Sequence, residues 1–146
     1  MSGYFDSAYL AKCYLKDPES NKVRELVTRV QQVYSSALCI AEVSCALHRS
    51  VRERTITRDE ASHLRATFLL DVSTGTMKMI PVTDIILRAV EATVARMPDT
   101  VFLRASDAVH LASAQHEGFT EIWSNDRHML KAASHFGLAG RSVQKL

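Results

Sequence analysis

Four acidic residues in this 146-residue chain, Asp6, Glu42, Asp107 and Asp126, sit where chemistry is a better explanation than ordinary surface charge. Asp107 lies in RASDAVHLASA, a stretch that reads as a buried helix, on the side that also carries Ala108, Leu111 and Ala114. An ionised carboxylate on a mostly apolar helix face is costly unless it is paired or bound to a cation. Asp126 falls where the strand TEIW gives way to the helix DRHMLKAASHF, at the strand edge where open α/β sheets place their sites. Asp6 ends a short candidate strand, GYFD, and Glu42 rides in the helix after a second strand. Two carboxylates roughly 4 Å apart repel by about 4 kcal/mol at an effective dielectric of about 20. Several can converge only by protonation or around a divalent cation. Donors that are all oxygen favour Mg²⁺ or Mn²⁺, and an ion held that way suits phosphodiester hydrolysis.

Each residue taken singly has a plainer explanation, and these stay open at the level of sequence. Asp6 and Asp126 are placed to cap helices, and Ser124 is placed to share that work or to orient a water or a phosphate oxygen. Glu42 fits an exposed position beside the apolar stripe of its helix. Asp107 has an ion-pair partner in Arg104, three residues earlier. His110 reads as a packed helix residue rather than a metal ligand. Lys16, Arg49, Arg52, Arg104 and Arg127 are the basic residues nearest the four acids in sequence, as candidates for contact with a polyanion.

The elements that would have to position these groups follow from periodicity and punctuation. Strands are expected at 3–6, 32–35, 77–82 and 120–123, with a short edge strand at 141–143. A first helix, SAYLAKCYLK, runs from 7 until Pro18 punctuates the chain, and a second begins at Ser20 as cap. A third spans 37–53, with Ser35 or Ser36 as cap. The Thr57–Glu60 capping box opens a fourth, and Thr83 caps a fifth that Pro98 stops. Helices from 104 and over 126–136 complete the set, with Gly137 as C-cap. Strands alternating with helices or helix pairs argue for a parallel sheet covered on both faces. We expect one α/β domain over residues 1–146, without repeats or linkers.

Bulk properties narrow the function less. A formal charge of +2 neither announces nor excludes nucleic acid, and a composition 47% hydrophobic suits one sizeable core. No apolar run approaches the roughly 20 residues of a membrane span, and no signal peptide is evident at the N-terminus. Three cysteines without metal spacing fit free thiols in a reducing cytoplasm.

The same segments resemble the PIN domain, and more narrowly its bacterial VapC-type toxin ribonucleases. FDSAYLAKCYL is similar to that family's opening segment, and IAEVSCAL to its Ala-Glu-Val helix. RASDAVHLASA matches its Asp-Ala-x-His-Leu-Ala helix, and IWSNDRHMLKAA its Ser-x-Asp segment. The likeness runs from about residue 3 to 138. It implies a three-layer α/β/α sandwich with a mainly parallel sheet, and Mg²⁺ or Mn²⁺ held by Asp6, Glu42, Asp107 and Asp126. It also implies a supporting hydroxyl at Ser124 and a second at Ser7, RNA as substrate, a homodimer, and a cognate antitoxin that covers the acidic pocket. Two positions depart from the pattern: Ala8 stands where Ser or Asn is frequent, and His128 where some relatives carry an acid. A PIN-like module that binds RNA or protein without cutting is the alternative. A receiver-type phosphotransfer domain would want a Lys after the TEIW strand, and none stands there.

Overall fold

Alternate residues of each strand turn to opposite faces, and the apolar side chains divide accordingly. In the computed structural model, which describes residues 1–145, β1 (Ser2–Tyr4), β2 (Gln32–Ser36) and β3 (Met77–Ile80) pair in parallel in the order β1-β2-β3. β4 (Glu121–Trp123) pairs in parallel with β5 (Ala139–Arg141). A bridge between Phe5 and Trp123, with the Asp6 amide donating to the Trp123 carbonyl at 3.1 Å, joins the two groups.

Tyr4, Ile80 and Ile122 face one core, closed by α5 (Asp84–Val94), α6 (Ala105–His116) and α7 (Arg127–Ala132). Phe5, Val33 and Met77 face the other, closed by α1 (Ser7–Lys12), α2 (Ser20–Arg29), α3 (Leu38–Arg52) and α4 (Arg58–Ser73). This is the α/β/α sandwich with a parallel sheet that the alternation predicts. Among the described residues, no helix is long and apolar enough to cross a membrane.

Local differences have local causes. The first strand stops at Tyr4, because Asp6 turns its carboxylate onto the Tyr9 amide at 2.8 Å and so begins α1. The first helix ends at Lys12 rather than running toward Pro18. Ser20 does not cap α2; its hydroxyl donates to the Leu15 carbonyl at 2.7 Å and accepts from the Asp17 amide at 3.0 Å. Ser36 does accept from the Leu38 amide at 3.2 Å, and the capping box at Thr57 and Glu60 forms as expected. The helix predicted over 126–136 tightens into a 3₁₀ turn at Ala133–Phe136, ended by Gly137 in the left-handed region at φ 70°. The last strand lies at Ala139–Arg141 rather than at 141–143.

β5 lies close against α7, and Gly140 makes that possible. A Cβ there would stand 2.8 Å from Leu130 Cδ2 and 3.1 Å from both the Leu130 Cα and its carbonyl oxygen. Two of those atoms are backbone, so neither moves cheaply. Gly140→Ala is expected to destabilise the protein by about 1–3 kcal/mol through overpacking, read as a lower melting temperature. An unchanged melting temperature would show that β5 can shift freely.

Candidate active site

Parallel strands place all their carboxyl ends on one edge, and helices that return between them begin or end there. That edge carries the Asp6 turn after β1, the Ser124–Asp126 turn after β4, the second turn of α3 and the first turn of α6. Asp6, Glu42, Asp107 and Asp126 accordingly line one pocket of about 380 Å³, together with Ser7, Arg49, Arg104 and His110. On α3, Glu42, Cys45, Ala46 and Arg49 follow the helical repeat along one wall. Of the five basic residues singled out from sequence, Arg49 and Arg104 reach the pocket. Lys16 lines a different cavity beside Tyr14 and Ile56, and Arg52 and Arg127 are not among the lining residues.

Each acid has defined partners. Asp6, only 3% exposed, caps α1 and accepts a short hydrogen bond from Ser124. Burial pushes its carboxyl pKa up, and the bonds from Ser124 and the Tyr9 amide only partly oppose that. Ser124 is itself fully buried and accepts from the Asp126 amide at 2.9 Å, so it braces two acids from behind rather than facing the pocket. Asp126 caps α7 through Oδ1, which accepts from the His128 and Met129 amides at 2.8 and 3.0 Å.

Asp107 is 7% exposed, and its Oδ2 accepts from Arg104 Nε at 3.0 Å. The same guanidinium donates from Nη2 to Asp126 Oδ2 at 2.9 Å, so Arg104 bridges two of the four acids. Arg104's pKa is pushed up, first by its hydrogen bond to Asp107. The ion pair that the sequence offered for Asp107 is therefore present, and it reaches further than the spacing implied.

Glu42 is organised by a side chain that the sequence undervalued. His110, 1% exposed, stands 2.7 Å by Nε2 from Glu42 Oε1 and 2.9 Å from Ser7 Oγ. Ser7 also donates to Glu42 Oε1 at 2.7 Å. On the far side, Nδ1 lies 2.9 Å from the Tyr4 hydroxyl. Burial pushes the Tyr4 pKa up, so the phenol keeps its proton, and the imidazole ring spans the distance between Tyr4 and Glu42. Burial alone would raise the Glu42 pKa, but the bonds from His110 and Ser7 outweigh it and hold the carboxyl low. The signal was available: His110 follows Asp107 by one turn on the same helix face.

A further brace comes from the chain's end. Tyr9 and Ser142 both donate to Asn125 Oδ1 at 2.6 Å, and the Val143 amide donates to the Tyr9 hydroxyl at 2.8 Å. The segment after β5 thus holds the turn between Ser124 and Asp126. Of the two departures from the PIN pattern, Ala8 lies exposed on the pocket wall, where its methyl makes no hydrogen bond. His128 packs against Phe102 with ring centroids 4.4 Å apart.

Among the described residues, no three His, Cys, Asp or Glu side chains converge closely enough to enclose an ion. The positive charge between Asp107 and Asp126 is instead the Arg104 guanidinium.

The cysteines offer a chemical probe of this wall. Burial raises the Cys13 thiol to about 11 and the Cys39 thiol to about 12, whereas Cys45 is exposed on the pocket rim. Thiolate is the reactive form, so a thiol reagent at about pH 8 should label Cys45 quickly, and the other two only on unfolding. Mass spectrometry of the labelled peptides checks this; fast labelling of Cys39 would contradict the packing of α3.

The PIN domain family model matches residues 4–134 of the chain. No curated protein matches the sequence. Solved structures do. FitAcB from Neisseria gonorrhoeae aligns with a TM-score of 0.70 at 14% identity, covering 100% of both chains. VapC20 of Mycobacterium tuberculosis, a sarcin-ricin loop cleaving toxin, aligns with a TM-score of 0.69 at 16% identity, over 90% of this chain and 95% of that one. VapBC2 from Rickettsia felis, bound to a DNA fragment from its promoter, gives 0.68 at 12% identity, over 97% and 98%. At these identities the likeness is one of fold.

Proposed function

The chain belongs to the PIN domain family, and from that premise we propose that it is a metal-dependent endoribonuclease acting as the toxin of a toxin–antitoxin pair. The observation that carries this reading is the presence of Asp6, Glu42, Asp107 and Asp126 around one pocket, from four separate segments of the chain. Their donor chemistry fits Mg²⁺ or Mn²⁺, because all four offer carboxylate oxygens, the donors that hard divalent cations prefer. Those four residues would be the ones to hold the ion, drawn closer than they stand with Arg104 between Asp107 and Asp126. When bound, it supplies Lewis acidity for activating a water and neutralising phosphate charge.

The protein's own side chains do the positioning. Ser124 and the Tyr9 amide fix Asp6, and His110 with Ser7 fixes the Glu42 carboxylate in its ionised form. Asn125 and the tail hold the turn that carries Asp126. Arg49 and Arg104, both on the pocket, supply positive charge for RNA phosphates, which gives an affinity that falls with salt. The proposal includes a cytoplasmic homodimer formed by a single-domain chain and an antitoxin that covers the pocket. Among the fold relatives, VapBC2 is a complex solved with a DNA fragment from its promoter, which supports the antitoxin part of this proposal.

A second reading is favoured by one observation, the Arg104 bridge that already neutralises Asp107 and Asp126. In that reading the chain is a PIN-like module that binds RNA or protein without cutting. Induced expression in a bacterial host separates the two. The nuclease reading expects growth arrest with RNA fragmentation, both relieved by Asp107→Asn. Growth without RNA loss at a verified level of folded protein would favour the binding module.

A further inference from the structure

We propose that Arg104 is a built-in counter-ion that occupies the Asp107–Asp126 pair in the metal-free protein and must leave it before a divalent cation can bind. This rests on the reading of the pocket as a cation site and names what controls its occupancy.

The argument is one of shared oxygens. Asp126 spends Oδ1 on capping α7, which leaves Oδ2 as the oxygen free for another partner, and Arg104 Nη2 takes it at 2.9 Å. Arg104 Nε takes Asp107 Oδ2 at 3.0 Å. A cation drawing on these two oxygens meets the guanidinium already there. Asp6 and Glu42 are held differently, by Ser124 and a backbone amide in one case and by Ser7 and His110 in the other. Arg104 is therefore the one arginine that bridges these acids among the described residues.

Its position suits a group that comes and goes. Its side chain is 57% exposed, it is the N-cap residue of α6 with extended backbone, and its side chain makes no capping bond. Departure of the guanidinium thus leaves the helix start intact. A planar fork that engages both carboxylates at once is a geometry that lysine does not reproduce.

The consequence is quantitative. When the binding-competent state is a fraction of the population, the dissociation constant rises by the inverse of that fraction; a bridge closed in about 90% of molecules weakens metal binding about tenfold. Mn²⁺ titration of the purified full chain, followed by electron paramagnetic resonance, reads this directly. Arg104→Gln is expected to bind Mn²⁺ about 3- to 10-fold more tightly than wild type, with Arg104→Lys between them. Arg49→Gln removes a positive charge from the same pocket without touching the bridge, so it should change affinity much less. In metal-free buffer Arg104→Gln should also melt below wild type, and recover in excess Mn²⁺.

Equal affinity in wild type and Arg104→Gln, with binding abolished by Asp107→Asn, would overturn this inference and leave the cation site standing. An equal gain from Arg49→Gln would reduce the effect to net charge and overturn it too. Absence of Mn²⁺ binding in every variant would remove both the inference and the metal-dependent reading.

Discussion

Asp126→Asn is expected to lower RNA cleavage at least about 100-fold while leaving the fold in place, a loss of about 2.7 kcal/mol in transition-state stabilisation. The substitution separates charge from structure. Asp126 Oδ1 accepts from the His128 and Met129 amides, and an amide oxygen can keep both bonds. What disappears is the negative charge at Oδ2, the oxygen now held by Arg104. Changing groups that merely orient a metal ligand typically costs 10- to 100-fold, so removing the charge of a ligand should cost at least the upper end of that range. Asp126→Ala should lose the same activity and, in addition, about 1 kcal/mol of stability with the cap. Initial rates on a labelled RNA, alongside urea denaturation, check both parts. Near-normal cleavage by a folded Asp126→Asn protein would take Asp126 out of the site.

His110→Ala should be the most destabilising change in the site, by about 3 kcal/mol. The ring is buried, so its loss leaves a cavity, and it strands the Tyr4 hydroxyl in a protein interior. Glu42 loses its principal hydrogen-bond donor, and Ser7 is left to orient it alone. Tyr4→Phe is the milder control. It removes one hydrogen bond to the ring and keeps the aromatic packing, at a cost of about 1 kcal/mol. Denaturant titration of the two variants measures the difference. Equal, small losses would mean that the Tyr4–His110–Glu42 line is packing without organisation.

How much of this could be read from the sequence depended on whether a residue's surroundings are local. Asp107 was legible because its own helix is otherwise apolar, and the helical repeat shows which face a carboxylate occupies. Asp6 and Asp126 were legible as strand-end acids, and both do cap helices as the plainer explanation has it. Both also line the pocket: capping engages Oδ1, while Oδ2 takes a side-chain partner, Ser124 for Asp6 and Arg104 for Asp126. His110 is packed in its helix, as the sequence suggests, but its hydrogen-bonding role was not legible, because its partners Tyr4 and Ser7 lie 106 and 103 residues away in sequence. The bond between Ser142 and Asn125 was hidden for the same reason: it closes only when the tail folds back.

Charge near the acids in sequence also misled. Arg49 lies seven residues, two helical turns, beyond Glu42 and returns to its wall; Arg52 does not. The final strand was misplaced by two residues because Ala139–Arg141 is exposed throughout and carries no apolar alternation to fix its register.

Cleavage of a structured RNA by the purified protein, with Mg²⁺ or Mn²⁺ and with EDTA, tests the central claim most directly when Asp107→Asn at matched stability is run beside it. The account predicts cutting that needs the cation, stops with EDTA, and is lost in the variant, with products bearing a 5′-phosphate and a 3′-hydroxyl. RNA bound but uncut under every metal condition, or cutting that survives both EDTA and Asp107→Asn, would contradict it.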